Sequence, residues 1–240
     1  CGMWSMTCDP TKHSSLLDRL RAAVGDRAEI LYAKGSNVYY DEKMEAGAVG
    51  IRPLQRGDDR KLLAEALSVA SRADVIVAAV GECSDMSGES ASRTDIRIPD
   101  AQSDLLKALV KTGKPVVLLL FTGRPLDLTW ESANVPAILN VWFGGSETGD
   151  AVADVLFGKV SPSGKLTTTF PRSVGQMPLY YSQMATGRPD GDPNTFNRYA
   201  SNYIDCPNDG LYPFGFGLSY TTFEYGEMRL SVGAKPEDGS

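Results

Sequence analysis

The sequence predicts an α/β fold built on a mainly parallel β-sheet. Three short apolar runs, at 74–80, 115–121 and 136–142, have the length and composition of strands that are buried on both faces. Segments with leucine and alanine at helical spacing, at 58–73 and 99–112, separate these runs. Alternating buried strands and helices are typical of a parallel sheet, because parallel neighbours need a crossover connection.

The remaining elements follow from the same kinds of pattern. A short helix is predicted at 16–24 and a strand at 29–33. A further helix is predicted at 147–157, where Gly158 closes it. Residues 221–225 are a candidate strand near the end of the chain. No repeat of 20–50 residues interrupts this order.

The pattern changes after Phe170. The following residues are rich in Pro, Gly, Tyr and Asn and have no sustained periodicity, which is unusual for so long a stretch inside a compact domain. Two interpretations are open: a tail that lies on the surface, or an arm that holds a neighbouring domain. We therefore divide the chain into an α/β domain at 1–170, an irregular arm at 171–225 and the start of a linker at 226–240.

Composition excludes several classes of function. The 240 residues include 24 basic and 30 acidic side chains, and the net charge of −6 argues against a nucleic-acid partner. The longest apolar run, 115–121, is far shorter than the roughly 20 residues that span a bilayer. With His13 as its one histidine, four dispersed cysteines and no CxxC pair, the chain is expected to bind no metal and no cofactor and to lack a Ser-His-Asp triad.

Ligands of parallel sheets gather beyond the carboxyl ends of the strands, so three loops are candidates for a site: 81–98, 122–128 and 143–149. The first loop is far longer than the usual 2–6 residues. It holds several charged side chains: Glu82, Asp85, Glu89, Arg93 and Asp95. Carboxylates suit general acid work when burial raises their pKa. The alternative is a solvated acidic loop with an arginine salt bridge.

The other two loops are less specific. The sequence FGGSETG at 143–149 has the outline of a phosphate cradle, but it is neither G-x-G-x-x-G nor a P-loop. Glu147 is better explained as a cap of the following helix. In the loop at 122–128, Arg124 either offers a guanidinium fork to a carboxylate or hydroxyl or forms a salt bridge with Asp127, and the salt bridge is the expectation. Trp142 belongs to an aromatic-rich second half that suits sugar platforms, with ordinary packing as the alternative.

Longer motifs carry a resemblance to a known family. The segments ESASRTDIRIPDAQSDLLKAL, GKPVVLLLFTGRPLDL and LYPFGFGLSYTTFEY, in order within 60–230, resemble the second domain of glycoside hydrolase family 3, nearest to its periplasmic β-glucosidases. The resemblance implies a three-layer α/β/α sandwich of flavodoxin-like type. It also implies a barrel domain that is absent from this chain, and a periplasmic or secreted location. The implied activity is retaining, exo-acting hydrolysis of a β-glucoside or short β-glucan oligosaccharide.

The resemblance also implies roles for individual residues. The barrel would supply an aspartate nucleophile and the long loop a general acid/base. Glu89 matches that acid, since it lies a few residues before the SR-T-D segment, and Glu82 is the alternative. Arg93 would then orient the acid or bind substrate, and Trp142 would contact substrate. A retaining glycosidase needs two carboxyl groups about 5–5.5 Å apart, so the isolated chain is expected to be inactive.

Functions of other classes stay open at this point. A non-catalytic carbohydrate-binding or interaction module could use the same scaffold, because one fold hosts many functions. A flavin or nucleotide binder has little support, since the sequence has neither a phosphate loop nor a basic contact set.

Overall fold

The computed structural model describes residues 15–49, 55–184, 186–189 and 196–230. These residues contain three strands: β1 Ile76–Gly81, β2 Val116–Phe121 and β3 Ala137–Asn140. They also contain six α-helices: α1 Leu16–Val24, α2 Glu42–Val49, α3 Asp59–Arg72, α4 Asp100–Val110, α5 Thr129–Asn134 and α6 Thr148–Leu156. His13, Cys1, Cys8 and the linker residues 231–240 lie outside the described residues.

The three strands form one parallel sheet in the order β1-β2-β3. Ile76 lies opposite Val116, and Val117 lies opposite Ala137. The helices between the strands provide the crossovers that parallel pairing requires. The predicted α/β sandwich with a parallel sheet is therefore confirmed, and each predicted apolar run overlaps one of the strands.

The core lies where α3 and α4 pack against one face of the sheet. Leu106 of α4 and Leu118 and Leu120 of β2 are fully buried in it. Burying such a side chain contributes about 1.5–3 kcal/mol. Its other helix and strand members include Ala66, Ala70, Leu105, Leu109, Ile76, Ala78 and Val80. Separately, α1 packs against α6. The central strand β2 is thus the most enclosed part of the sheet.

Side-chain caps explain where two helices begin. The Asp58 carboxylate accepts a hydrogen bond from the Lys61 backbone N–H at 2.9 Å, immediately before α3. Ser15 Oγ accepts one from the Asp18 backbone N–H at 3.1 Å, immediately before α1. Such caps satisfy backbone donors that have no partner within the helix.

Two predicted strands are wrong, and two helices escaped prediction. Residues 29–33 and 221–225 form no ladder with any strand of the described chain, and the side chain of Tyr32 in the first segment is 60% exposed. Apolar residues alone do not make a strand, because its backbone groups need a partner. The helices α2 and α5 lack a long apolar stripe, and α5 has only six residues.

Beyond Phe170 the described residues contain a 3₁₀ helix, Val174–Gln176, and an isolated antiparallel bridge between Phe170 and Tyr212. The Leu166 N–H donates to the Phe216 carbonyl at 2.8 Å, so the arm returns to the α/β domain. No helix among the described residues is long and apolar enough to cross a membrane.

We predict that Gly81→Ala destabilises the chain far more than Gly113→Ala. Both glycines have a positive φ, +138° and +75°, which costs a residue with a Cβ roughly 1–2 kcal/mol. At Gly81 the added Cβ would also lie 1.9 Å from the Phe121 carbonyl oxygen of β2, whereas at Gly113 it meets nothing within 4 Å. Urea unfolding should give a loss of about 3 kcal/mol or more against about 1 kcal/mol. Equal losses would contradict this packing.

Candidate active site

The loops that follow the three parallel strands begin at one edge of the sheet. Glu82 directly follows β1, Thr122 directly follows β2, and Trp142 comes two residues after β3. This is the edge at which ligands of parallel sheets bind. The sequence prediction of loops that begin together is therefore confirmed by the topology.

Glu82 is a buried carboxylate whose oxygens are occupied by protein groups. Its side chain is 0% exposed, and Oε1 lies 2.8 Å from Arg93 Nη1 and 3.0 Å from Arg124 Nε. Its Oε2 accepts hydrogen bonds from Thr122 Oγ1 at 2.8 Å and from the Gly123 N–H at 3.3 Å. Two guanidinium groups and two neutral donors compensate the buried charge. Glu82 therefore presents no free oxygen to a substrate.

The predicted salt bridge between Arg124 and Asp127 is wrong. Arg124 turns instead toward Glu82, because a fully buried carboxylate attracts a cation more strongly than the half-buried carboxylate of Asp127. Its Nη2 also donates to the backbone carbonyls of Met86 and Ala91, the latter at 2.7 Å. Arg124 thus links the loop after β2 to two points of the loop after β1.

Arg93 connects the acidic loop to three surrounding groups. Besides its ion pair with Glu82, its Nη2 donates to the Arg97 carbonyl at 3.0 Å. Its charge also lies near the Tyr39 hydroxyl. Burial raises the pKa of Tyr39, and the nearby Arg93 charge opposes that rise. The contacts of Arg93 are those of a residue that orients the loop.

Glu89 is exposed at the tip of the same loop. It lies between Gly88, with φ +114°, and Ser90, with φ +58°. A non-glycine residue in the left-handed region is strained, and such residues cluster at functional sites. The two glutamates that were candidates for the acid are therefore in opposite environments: Glu82 is enclosed, and Glu89 is accessible.

The base of the loop is anchored by a small apolar cluster. Met86 is buried against Val38 and Tyr39, and Cys83 packs beside it. The two backbone N–H groups of Val38 and Tyr39 both donate to Glu45 Oε2, at 2.8 and 3.0 Å. Glu45 is itself buried. This second buried carboxylate was missed by sequence analysis, because it lies on a helix that the pattern does not reveal.

Trp142 also has a strained backbone, with φ +56°. Its half-buried ring packs against Phe170 with ring centroids 5.8 Å apart.

In the neighbouring glycine-rich loop, Glu147 occupies the cap position of α6, yet its side chain makes no capping hydrogen bond. Among the described residues, no group of three or more His, Cys, Asp or Glu side chains is arranged to hold a metal ion.

Comparisons with known proteins agree with this geometry. The sequence pattern of the glycosyl hydrolase family 3 C-terminal domain matches residues 1–220. The chain is 48% identical to a periplasmic beta-glucosidase of Salmonella typhimurium, over 99% of this chain and 31% of that protein. It is 40% identical to a beta-xylosidase of Formosa agariphila, over 92% of this chain and 27% of that protein.

Solved structures are similar as well. The crystal structure of a beta-glucosidase from Listeria innocua in complex with gluconolactone matches with a TM-score of 0.76 and 34% identity, over 93% of this chain and 28% of that one. A mutant of the same enzyme in complex with laminaribiose matches with a TM-score of 0.75 and 35% identity, over 93% of this chain and 28% of that one. The chain thus spans less than a third of the length of these relatives.

We predict that Cys83 reacts slowly with iodoacetamide at pH 8. Burial raises the pKa of its thiol to about 11, and nearby carboxylates such as Glu45 add to the rise. Since the thiolate is the nucleophile, a shift from 9.0 to about 11 lowers the reactive fraction roughly a hundredfold. Peptide mass spectrometry would compare Cys83 with Cys206, the other described cysteine, before and after unfolding in urea.

Labelling at Cys83 should lag that of Cys206 in the folded chain and match it once the chain is unfolded. Equal rates in the folded chain would mean that the loop opens readily.

Proposed function

Because this chain belongs to glycosyl hydrolase family 3, as its C-terminal domain, we propose that it supplies the general acid/base of a retaining, exo-acting β-glucosidase. The observation that carries the proposal is the exposed Glu89, presented on a strained turn whose base is fixed by a buried ion-pair network. An acid/base must reach the glycosidic oxygen, and an enclosed Glu82 cannot do so.

The nucleophile is proposed to lie on polypeptide outside these 240 residues. Retaining glycosidases hold two carboxyl groups about 5–5.5 Å apart, and Glu82, the buried carboxylate of this loop, is committed to two arginines. The similar proteins are more than three times as long as this chain, which leaves room for a barrel domain. We call the chain together with that domain the full-length enzyme.

The proposed reaction has two steps. The nucleophile attacks the anomeric carbon while Glu89 gives its proton to the leaving oxygen, so the glycosidic bond breaks and a glycosyl-enzyme forms. Glu89, now a carboxylate, then removes a proton from water, which attacks the same carbon and releases the sugar with retained configuration. A covering domain would exclude water from Glu89 and from the reacting bond.

The proposed substrate is a β-glucoside or a short β-glucan oligosaccharide. Support comes from the similar proteins: one is named a periplasmic beta-glucosidase, and the Listeria innocua enzyme was crystallised with glucose, isofagomine and laminaribiose. The periplasmic beta-glucosidase of Salmonella typhimurium also supports a periplasmic or extracellular location. The relative named a beta-xylosidase makes an aryl β-xyloside the appropriate comparison substrate.

The arm at 171–225 is proposed to pack on both the sandwich and the barrel, with 226–240 as the start of a linker. Its exposed apolar side chains support this, because large exposed apolar patches mark interaction surfaces. They include Tyr180, Tyr181, Phe196, Tyr199, Phe214 and Phe223. Tyr181 and Phe214 stack at 4.2 Å while both stay exposed. Trp142, whose ring packs on Phe170, is proposed to contact the substrate.

We predict that Glu89→Ala in the full-length enzyme lowers kcat/KM for alkyl β-glucosides by about 10²–10⁴-fold, because these leaving groups need a proton. For dinitrophenyl β-glucoside, kcat/KM should change little, since its leaving group departs without protonation. Its kcat should fall, because hydrolysis of the glycosyl-enzyme loses its base. Added azide, which needs no base, should restore kcat and yield glucosyl azide, which chromatography detects. Glu65→Ala, an exposed glutamate of α3, is the control and should behave like the unmodified enzyme.

Glu82→Ala separates the two candidates. It should lower thermal stability, because Arg93 and Arg124 lose their buried partner, and azide should not rescue it. Azide rescue of Glu82→Ala together with an unimpaired Glu89→Ala would reverse the assignment. If both Glu82→Ala and Glu89→Ala keep the normal kcat for alkyl β-glucosides and only their affinity for the sugar falls, a non-catalytic carbohydrate-binding module would be favoured instead.

We also predict that the 240-residue chain alone does not hydrolyse an aryl β-glucoside, since it would carry the acid/base without the nucleophile. Release of nitrophenol by the chain alone would be measured beside the full-length enzyme at equal concentration. Turnover by the chain alone would place a nucleophile within these 240 residues.

A further inference from the structure

Arg124 holds the loop that carries Glu89 from outside that loop. It follows β2, yet its Nη2 donates to the carbonyls of Met86 and Ala91. These two carbonyls lie three residues before and two residues after Glu89. One guanidinium group therefore closes the turn that bears the proposed acid.

We propose that Arg124 and Glu82 are positioning residues, which act as a buried clamp that fixes the backbone of the turn and thereby the place of the Glu89 carboxyl group. This inference rests on the proposed function, since it matters only if Glu89 is the acid/base. Neither residue touches the substrate in this account. Their effect on the reaction is exerted through the geometry of Glu89.

Backbone strain is the reason that the turn needs a clamp. Ser90 has a φ of +58°, which is strained for a residue with a Cβ, and such a conformation persists only where its surroundings determine it. Gly88 adopts its positive φ without that cost. Glu89 lies between them and is exposed, so its own side chain contributes no packing that would hold the turn. The two hydrogen bonds from Arg124 Nη2 supply that restraint.

Glu82 in turn holds Arg124 in place. Its Oε1 lies 3.0 Å from Arg124 Nε, while Arg124 Nη2 bonds to the loop. Its Oε2 is fixed by Thr122 and by the Gly123 N–H. The planar guanidinium can thus face a carboxylate and two carbonyls at once, which the single ammonium of a lysine cannot do.

Close contact between the 122–124 segment and the turn that carries Glu89 couples the positions of the two. A Cβ on Gly123 would lie 2.0 Å from Ser87 Oγ and 2.6 Å from the Phe143 ring. Ser87 directly follows Met86, where Arg124 binds. A displacement of the 122–124 segment therefore moves the turn as well, because no gap separates them.

The test compares three variants of the full-length enzyme. Arg124→Lys keeps a positive charge beside Glu82 but loses the planar guanidinium that faces Glu82 and the two carbonyls at once. Arg124→Met combined with Glu82→Gln removes both charges of the clamp and releases the turn; Arg93 loses its ion pair with Glu82, but an amide oxygen at position 82 stays available to accept its hydrogen bond. The control, Arg97→Met, breaks an exposed ion pair with Asp95 in the same loop without touching the clamp.

Both clamp variants should lower kcat/KM for alkyl β-glucosides by about 100-fold, because a misplacement of about 1 Å costs that much. The KM for these substrates and kcat/KM for dinitrophenyl β-glucoside should change by less than about threefold, since binding and the nucleophile are untouched. Amide hydrogen exchange in peptides covering 87–92 should become about tenfold faster. Arg97→Met should change none of these.

The two proposals fail in different ways. If Glu89→Ala has normal kcat/KM on alkyl β-glucosides, the assignment of the acid is wrong, and the clamp has no catalytic role. If Glu89→Ala is impaired and rescued by azide while both clamp variants behave like Arg97→Met, the clamp is overturned and the acid stands. An equal loss of kcat/KM on alkyl and dinitrophenyl substrates in the clamp variants would indicate general damage to the fold and would also overturn the clamp proposal.

Discussion

The site depends on one interaction, the buried carboxylate of Glu82 between Arg93 and Arg124. A carboxylate with no exposed surface is stable only if its charge is fully compensated, and here two ion pairs and two hydrogen bonds meet that demand. The partners come from different loops, so satisfying the charge forces the loops after β1 and β2 into one arrangement. The electrostatic requirement thus determines the shape of the sheet edge.

A second buried acid supports the other side of the loop. Glu45 accepts both backbone N–H groups of the segment against which Met86 packs, and Arg56 Nη1 lies 2.9 Å from it. The loop after β1 is therefore held between two compensated carboxylates, one on each side. Its tip, with exposed Glu89, is the part that projects from this rigid support.

Sequence patterns were sufficient for the sheet and insufficient for the network. The runs that became β1, β2 and β3 are recognisable because a strand buried on both faces is apolar throughout. The strand expected at 29–33 failed, since composition does not provide a ladder partner. The partner of Arg124 was mistaken for Asp127, which is near in sequence, whereas Glu82 is 42 positions away and meets it only because parallel strands end together. No local signal reveals such a contact.

The hydrogen bonds that Arg124 makes to the turn end on main-chain oxygens. Every amino acid carries that oxygen, so the neighbours of Glu89 within 86–91 can be exchanged for others of suitable backbone conformation without loss of the anchor. The side chains beside Glu89 are consequently free to vary while the main chain of the turn stays in place. A fixed main chain with variable side chains suits a domain whose relatives are named as a beta-glucosidase and a beta-xylosidase.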